Sequence, residues 1–555
     1  MSIYRQIKPY SRIALCLGGP LDTLQVPDWS VSTEVVCSGA GCIFYEHESA
    51  RIDPLEHGPV NASLWVEHSP SSVVIWRDAP GLGLMWYAQS GSRIVCSNDM
   101  IWLCKQLECI TPNATRLARV SAGLDPYDQT TEGYIQGVHR IRPGHKLMMW
   151  RNGTCEQYDW WREKVQLYQG IDPEGEQFIE RLDDALLLTH RQGRAGLAVS
   201  SGLDSTLLAA RAQALGLNLE WGSMSFPHTP ESDETALTMQ WSSMFQKDVC
   251  FVDMTASLLW PEDCAMTGWS TGVQIHPGES YERRFIRAFV EQQDLRWIYT
   301  GVGADQLFDV QPVEVFREYV QHGEWAKITQ GRRRTDVFRL VRLVYGSALW
   351  RSLMPDTLRR SRLHSQLVEC AQPLLSEVHL DELVEGLLEV GEHSVLQRML
   401  SWSWENLMRS LWRLNQSARA CGAELVTPYL DESLWLWRAQ LSASVCMNRY
   451  HGTLYNKFKL RQSHHQLHHD QFPEGFAWRG KAAVFDAHIS KAMCGEDRMT
   501  LEGLIHGMDE ELRAPSWQRW EKVKDGMLGR DLVELYRLCA VQKWKQTVRS
   551  QNDSE

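Results

Sequence analysis

Hydrophobic and polar positions change rhythm once along this 555-residue chain. Up to about residue 165, apolar residues come in short alternating runs broken by Gly, Pro and Asn. Ser72-Val73-Val74-Ile75-Trp76 and Gly83-Leu84-Met85-Trp86-Tyr87-Ala88 are two of them. A period of two marks strands that bury one face, so this half predicts an antiparallel, sheet-rich domain. After Trp160-Trp161 the texture changes: Phe178, Ile179, Leu182, Ala185, Leu186 and Leu187 recur at helical spacing across residues 176–190. A domain boundary is expected at 162–175. Apolar runs at 197–200, 217–225, 249–253 and 296–300 then predict strands with helical segments between them. Such alternation predicts a parallel, doubly wound sheet with ligands at the carboxyl ends of its strands. From about residue 310 onward the pattern is mostly helical, which leaves two domains, 1–165 and 175–555.

Composition narrows the class of protein. At this length a single core is too small, since domains run to about 100–200 residues. Hydrophobic residues at 43% and charged ones at 23% are ordinary for a globular protein, and no apolar run reaches the roughly 20 residues of a membrane span. Met1-Ser2-Ile3-Tyr4-Arg5-Gln6-Ile7-Lys8 lacks the apolar stretch of a secretory signal, so a cytoplasmic location is expected, with the 14 cysteines as free thiols. None stand at Cys-x-x-Cys spacing, which argues against zinc ribbons and thioredoxin chemistry. A net charge of −12 disfavours a nucleic-acid partner. Two features carry alternative readings. His464, His465, His468 and His469 form a metal site or a polar surface segment. Trp402, Trp404, Trp412, Trp435 and Trp437, from a total of 24 tryptophans, pack a helical core or wall an apolar cleft.

The most specific chemistry lies at Leu197-Ala198-Val199-Ser200-Ser201-Gly202-Leu203-Asp204-Ser205-Thr206, where an apolar strand meets a small-residue turn, one carboxylate and then a helix starting near Ser205. Small residues let backbone N–H groups approach phosphate oxygens, the helix start adds its positive end, and Asp204 can hold magnesium against the phosphates. A plain strand-to-helix turn capped by Asp or Ser is the other reading of these ten residues. The segment resembles the Ser-Gly-Gly-x-Asp-Ser loop of ATP pyrophosphatases, with Ser201 in place of the first glycine. No Gly-x-x-x-x-Gly-Lys pattern is present, so adenylation rather than γ-phosphoryl transfer is expected.

A second strand, Trp297-Ile298-Tyr299-Thr300, runs into Gly301-Val302-Gly303-Ala304-Asp305, again a small-residue turn with one acid. Asp204 and Asp305 at two strand ends suit an octahedral magnesium whose remaining ligands are phosphate and water oxygens. Thr427-Pro428-Tyr429-Leu430-Asp431, Gly452-Thr453-Leu454-Tyr455-Asn456-Lys457 and Arg479-Gly480-Lys481 follow. In this order the motifs resemble the synthetase domain of the asparagine synthetase superfamily. Trp76-Arg77-Asp78-Ala79-Pro80-Gly81 and Gly137-Val138-His139-Arg140-Ile141-Arg142-Pro143-Gly144-His145 look like its glutaminase-like domain. The resemblance implies an α+β, Ntn-type glutaminase-like sandwich followed by an α/β, PP-loop ATP pyrophosphatase domain with a mostly helical C-terminal part.

Departures from the family pattern direct the function that it implies. Glutamine-dependent members carry a cysteine nucleophile at residue 2, where this chain has Ser2, so the front domain is expected to be a catalytically silent scaffold. Asparagine synthetases carry a glutamate, and β-lactam synthetases a tyrosine, where this chain has Val302, which does no acid–base work. The branch that remains resembles the lasso peptide cyclases, which join a peptide's N-terminal amine to an Asp or Glu side chain. Small-molecule amide or β-lactam synthesis and ammonia-dependent asparagine synthesis are the alternatives. The resemblance implies ATP and Mg2+ as cofactors. It also implies a leader-processed peptide substrate, with a protease and a leader-binding protein as partners. ATP is then expected over Ser200, Ser201, Gly202, Leu203, Asp204, Ser205 and Thr206, with adenine near Ser225 and with Gly301, Gly303 and Lys457 as further contacts. Asp204 and Asp305 are the metal ligands and Lys481 covers the departing pyrophosphate. Glu405 is either the base or an exposed helix acid.

Overall fold

The computed structural model describes strand residues 14–17, 36–38, 41–45 and 64–68 and, with short gaps, residues 72–167, 172–254, 278–324, 411–468, 476–478, 498–523 and 530–553. The first ten strands are β1 (Ala14–Leu17), β2 (Val36–Ser38), β3 (Gly41–Tyr45), β4 (Leu64–His68), β5 (Ser72–Arg77), β6 (Trp86–Ser90), β7 (Arg93–Ser97), β8 (Val138–Arg140), β9 (His145–Trp150) and β10 (Cys155–Asp159). They form two antiparallel sheets, ordered β1-β7-β6-β8 and β10-β9-β5-β4-β3-β2. Alternation along β5 buries Val73, Ile75 and Arg77. Val73 and Ile75 meet Leu147 and Met149 of β9, together with Tyr87, Ile94 and Cys96 from the other sheet, in one core. Two half-buried faces thus close on each other, as the period of two predicts. Helices α1 (Met100–Lys105) and α2 (Ala114–Ser121) carry this unit onward.

Helix α3 (Trp160–Leu167) spans the change of texture and is tied to both sides. Trp160 Nε1 donates to the Arg77 carbonyl at 3.1 Å, while Lys164 pairs with Glu432. Burial pushes the Glu432 carboxyl up, and Lys164 opposes that shift. Helix α4 (Phe178–Thr189) is two residues shorter at its start than the periodicity predicts. The Asp172 carboxylate accepts from the N–H groups of Glu176 and Gln177 and fixes the turn that leads into the helix.

The second sheet unit is parallel throughout: β11 (Ala195–Ala198), β12 (Leu219–Ser225), β13 (Val249–Asp253), β14 (Trp297–Thr300) and β15 (Glu424–Val426), in the order β13-β12-β11-β14-β15. Helices α5 (Leu203–Ala214), α6 (Thr235–Phe245) and α7 (Gly278–Gln293) connect its strands. Both faces are covered. Ala195, Leu197, Trp221 and Tyr299 point into one cluster with Leu182 and Leu207. Ile298 and Val252 point into another with Phe285 and Phe289. Phe289 can lie flat on the sheet because its two contact positions are glycines. A Cβ on Gly222 would stand 2.5 Å from the ring and one on Gly196 2.8 Å. Burying that ring contributes about 2–3 kcal/mol.

The remaining described elements are α8 (Ala304–Phe308), α9 (Glu432–Ala439), α10 (Ala443–Cys446), the hairpin β16 (Asn448–Tyr450) and β17 (Thr453–Tyr455), α11 (Phe458–His468), α12 (Arg498–His506), α13 (Glu510–Val523) and α14 (Arg530–Asp553). Helix α14 packs on the first unit, Trp544 meeting Tyr134 at 5.8 Å. Trp435 and Trp437 are fully buried, with Trp437 stacked on Phe178, so these two pack the core. Trp402, Trp404 and Trp412 lie outside the described residues. No described helix is long and apolar enough to cross a membrane, and the cysteines described, Cys96 and Cys446 among them, are free thiols.

Candidate active site

Strand β11 ends two residues earlier than its hydrophobic run. Val199 N–H still reaches the Gly222 carbonyl, but Ser200 N–H is taken by the Ser205 hydroxyl at 3.0 Å. That side-chain capture bends the backbone out of the ladder. Gly202 then caps α5, and its N–H turns back to Ser200 Oγ at 3.1 Å. The helix begins at Leu203, ahead of the expected Ser205, because the Gly202 carbonyl accepts both the Thr206 N–H and, at 2.7 Å, the Thr206 hydroxyl. Ser201, which stands at a family glycine position, is buried, and its N–H donates to Glu234 Oε2 at 3.1 Å.

The second turn lies against the first. A Cβ on Gly301 would stand 3.0 Å from Ser205 N and 3.2 Å from the Asp204 carbonyl carbon, so only glycine allows the two turns to meet. Gly303 takes φ +104° and faces Leu430 and Tyr429, which belong to the tight turn Pro428–Leu430 beneath both. Tyr429 OH donates to the Asp204 carbonyl at 3.0 Å. Burial, reinforced by Asp204, holds that phenol well above its ordinary pKa, so it stays a neutral donor.

Lys457 closes the arrangement. Its ammonium lies 2.6 Å from Asp204 Oδ2, 2.8 Å from Asp204 Oδ1 and 2.5 Å from Asp305 Oδ1. Burial alone would lower the lysine pKa. The two carboxylates outweigh it and hold the amine charged, above the usual lysine range. Lys457 sits just before α11 with φ +52°, a left-handed backbone that costs a non-glycine residue about 1–2 kcal/mol. Asn456 supports it: Asn456 Oδ1 accepts the N–H of Val310 and of Lys457, and its amide bonds Asp309. The exposure of the pair differs, Asp204 at 23% and Asp305 at 52%, so the site opens on the Asp305 side.

The family of the chain follows from sequence comparison of this same region. The profile of the Asparagine synthase family matches residues 177–514, more than half of the chain. The chain belongs to the asparagine synthase family. The match spans the parallel sheet, both aspartate turns and Lys457, and assigns that unit to the PP-loop ATP pyrophosphatase type. It makes the protein an ATP-dependent amide ligase of a family that typically uses Mg2+. Among curated proteins none matches the chain.

The structure brings Ser200, Ser201, Gly202, Leu203, Asp204, Ser205, Thr206, Gly301, Gly303, Asp305 and Lys457 together. Ser225 closes β12, and its Oγ lies 3.2 Å from Thr235 Oγ1. Lys481 and Glu405 lie outside the described residues. Among the described residues no group of three or more His, Cys, Asp or Glu could hold a metal ion; of the histidine run, the side chains of His464 and His465 are described, and those of His468 and His469 lie outside the described residues. The donor set nevertheless fits a hard divalent cation that draws further oxygens from phosphate, because two carboxylates already converge on one cationic atom. The sequence reading overlooked Glu234 and Asp233. An acidic pair just before a helix was the available signal. Asp233 Oδ1 accepts from Phe226 N–H and Thr235 Oγ1, tying the end of β12 to the residue pair that holds the Ser201 turn.

Proposed function

We propose that this amide ligase closes a macrolactam in a ribosomally made peptide of the lasso class. ATP adenylates an Asp or Glu side chain, the peptide's N-terminal amine displaces AMP, and pyrophosphate leaves first. The observation that carries this reading is Val302. At the position where the family's ammonia- and β-lactam-forming members carry an acid–base residue, its side chain packs against the hydrophobic core. Its N–H is bonded to Thr300 Oγ1 at 3.1 Å. A substrate that brings its own amine already held beside the adenylate has less need of a residue there. Ser2 in place of the glutaminase cysteine supports the same view, since ammonia is then not delivered from glutamine.

On this reading the Ser200–Asp204 turn and the first turn of α5 offer their N–H groups and positive end to the phosphates. Asp204 and Asp305 would hold the magnesium, which supplies charge neutralisation to the phosphate oxygens. Lys457 stands within reach to exchange a carboxylate for a phosphate oxygen as charge builds on the leaving group. Lys481 is assigned the lid role by family position, and Glu405 is the candidate base for the amine proton. Holding amine and adenylate in contact can supply roughly 7–11 kcal/mol of the barrier, so the peptide is expected to bind prefolded. A leader-binding protein and a protease would deliver it.

The test is mass spectrometry of a leaderless peptide incubated with protein, ATP and MgCl2, beside an assay that separates AMP from ADP. Loss of one water with stoichiometric AMP supports cyclisation. AMP formed only with free amino-acid derivatives would move the assignment to small-molecule amide synthesis.

A further inference from the structure

We propose that His464 is a positioning residue for the phosphate-binding turn, holding the first turn of α5 from behind through one N–H. Burial within the histidine-rich run is uneven in a way its sequence conceals: His464 is buried, only 1% exposed, while His465, Gln466 and Leu467 turn outward. His464 Nε2 lies 3.1 Å from Thr206 Oγ1 and 3.3 Å from the Leu203 carbonyl. The direction of the bond follows from its partner. Thr206 has one hydroxyl hydrogen, and that hydrogen is directed at the Gly202 carbonyl at 2.7 Å. Toward the imidazole, Thr206 Oγ1 and Leu203 O are both acceptors, so Nε2 carries the proton and donates. Trp241 meets the ring edge-on at 5.8 Å and limits its rotation.

The position of His464 on α11 gives the contact its consequence. Lys457 immediately precedes α11, and His464 lies within the helix seven residues further on. One rod therefore sets the ammonium on Asp204 and Asp305 at one end and braces residues 203–206 at the other. Between them, Arg461 donates to the Ala477 carbonyl at 2.7 Å, and Trp478 stacks on Tyr450 at 3.8 Å. Residues 476–478 are thus anchored beside the same helix. A turn that binds phosphate through backbone N–H groups works only if those groups are already aimed, and such aiming comes from buried supporting hydrogen bonds.

The proposal rests on ATP binding at this turn, not on the identity of the acyl acceptor. Full-length protein is titrated with ATP and MgCl2 by calorimetry, and melting temperatures are read alongside. In His464→Gln the amide N–H reaches the place of Nε2, so affinity within about twofold of wild type is expected. In His464→Asn the amide mimics Nδ1 and cannot reach Thr206. About a tenfold loss is expected there, the usual cost of leaving one buried partner unmade. Thr206→Val removes the acceptor from the other side and should lose a similar factor, which keeps the test decisive if His464→Asn fails to fold. Gln and Asn variants that bind alike, or a Thr206→Val protein that binds as wild type does, would overturn the proposal. Wild-type protein that binds no ATP would remove the nucleotide reading and this inference with it, whereas ATP binding without peptide cyclisation would leave the inference standing.

Discussion

The two sheet units handle charge in opposite ways. In the antiparallel sandwich, buried polar groups are spent on the scaffold. Arg77 lies inside the sandwich and donates from Nη1 to the Ile141 carbonyl. Gln157 donates to the Arg140 carbonyl at 2.8 Å and accepts from Arg142 N–H at 3.1 Å. Burial drives the His145 pKa down to about 4, which leaves a neutral ring bonded to the Pro143 carbonyl. At the carboxyl ends of the parallel sheet, three charges converge with one side open to solvent. Polar groups enclosed in the sandwich meet its own backbone, whereas the charges gathered at the half-open strand ends remain within reach of solvent. Parallel strands make the second arrangement available because every strand ends on the same edge.

The sharpest way to break this contrast is Asp204→Asn. AMP and pyrophosphate formation should fall at least about a hundredfold, while the melting temperature moves little. A pyrophosphate-release assay beside thermal unfolding checks both halves, and an active variant would mean that the converging carboxylates are structural. Gly301→Ala asks whether the two aspartate turns must touch. The new Cβ meets backbone at 3.0 Å, so unfolding in urea should register a loss of about 2–3 kcal/mol together with weaker ATP binding. Arg77→Met is the sandwich counterpart. It should destabilise by about 2 kcal/mol through the unpaired Ile141 carbonyl and leave turnover per folded molecule unchanged.

Asp509, on the turn before α13, probes charge that is neither enclosed nor at the site. Partial burial would raise its pKa, but hydrogen bonds and charge from Arg549 and Lys545 hold it down to about 2. Its folded pKa lies below the unfolded value near 3.8, so its contribution is present above about pH 4 and is lost as pH falls toward 2. With Arg549 56% exposed, Asp509→Asn should cost less than about 1 kcal/mol at pH 7 and only a fraction of that at pH 2, where the folded carboxylate is half protonated. An acid titration of stability for both proteins decides this. The smallest effect belongs to Ser2→Ala, which should change neither AMP formation nor stability. Loss of activity in folded Ser2→Ala would show the front unit to be catalytic.

Much of the architecture is readable from local pattern. Alternation at 72–77 and the apolar runs around 197, 219, 249 and 297 set strand identity, because burial on one face or on two leaves different periodicities. The small-residue turns ahead of Asp204 and Asp305 were legible too, since only small residues let two strand-end turns pack this closely. Strand and helix ends were less so: the hydroxyl of Ser205 stops β11, and that bond depends on how the turn folds back.

What the one-dimensional pattern could not reach was decided by packing between distant segments. Lys457 reads as a phosphate contact, yet in the fold it bridges two carboxylates, one 253 residues away. The histidine run reads as metal ligand or solvated surface, yet His464 lies buried behind Thr206, 258 residues distant. Glu234 carries no motif and still holds the Ser201 turn. Local sequence determines which way each side chain faces on its own element, because that depends on backbone periodicity. Which charge or hydrogen-bond partner it meets depends on the arrangement of elements, and only the tertiary structure decides that.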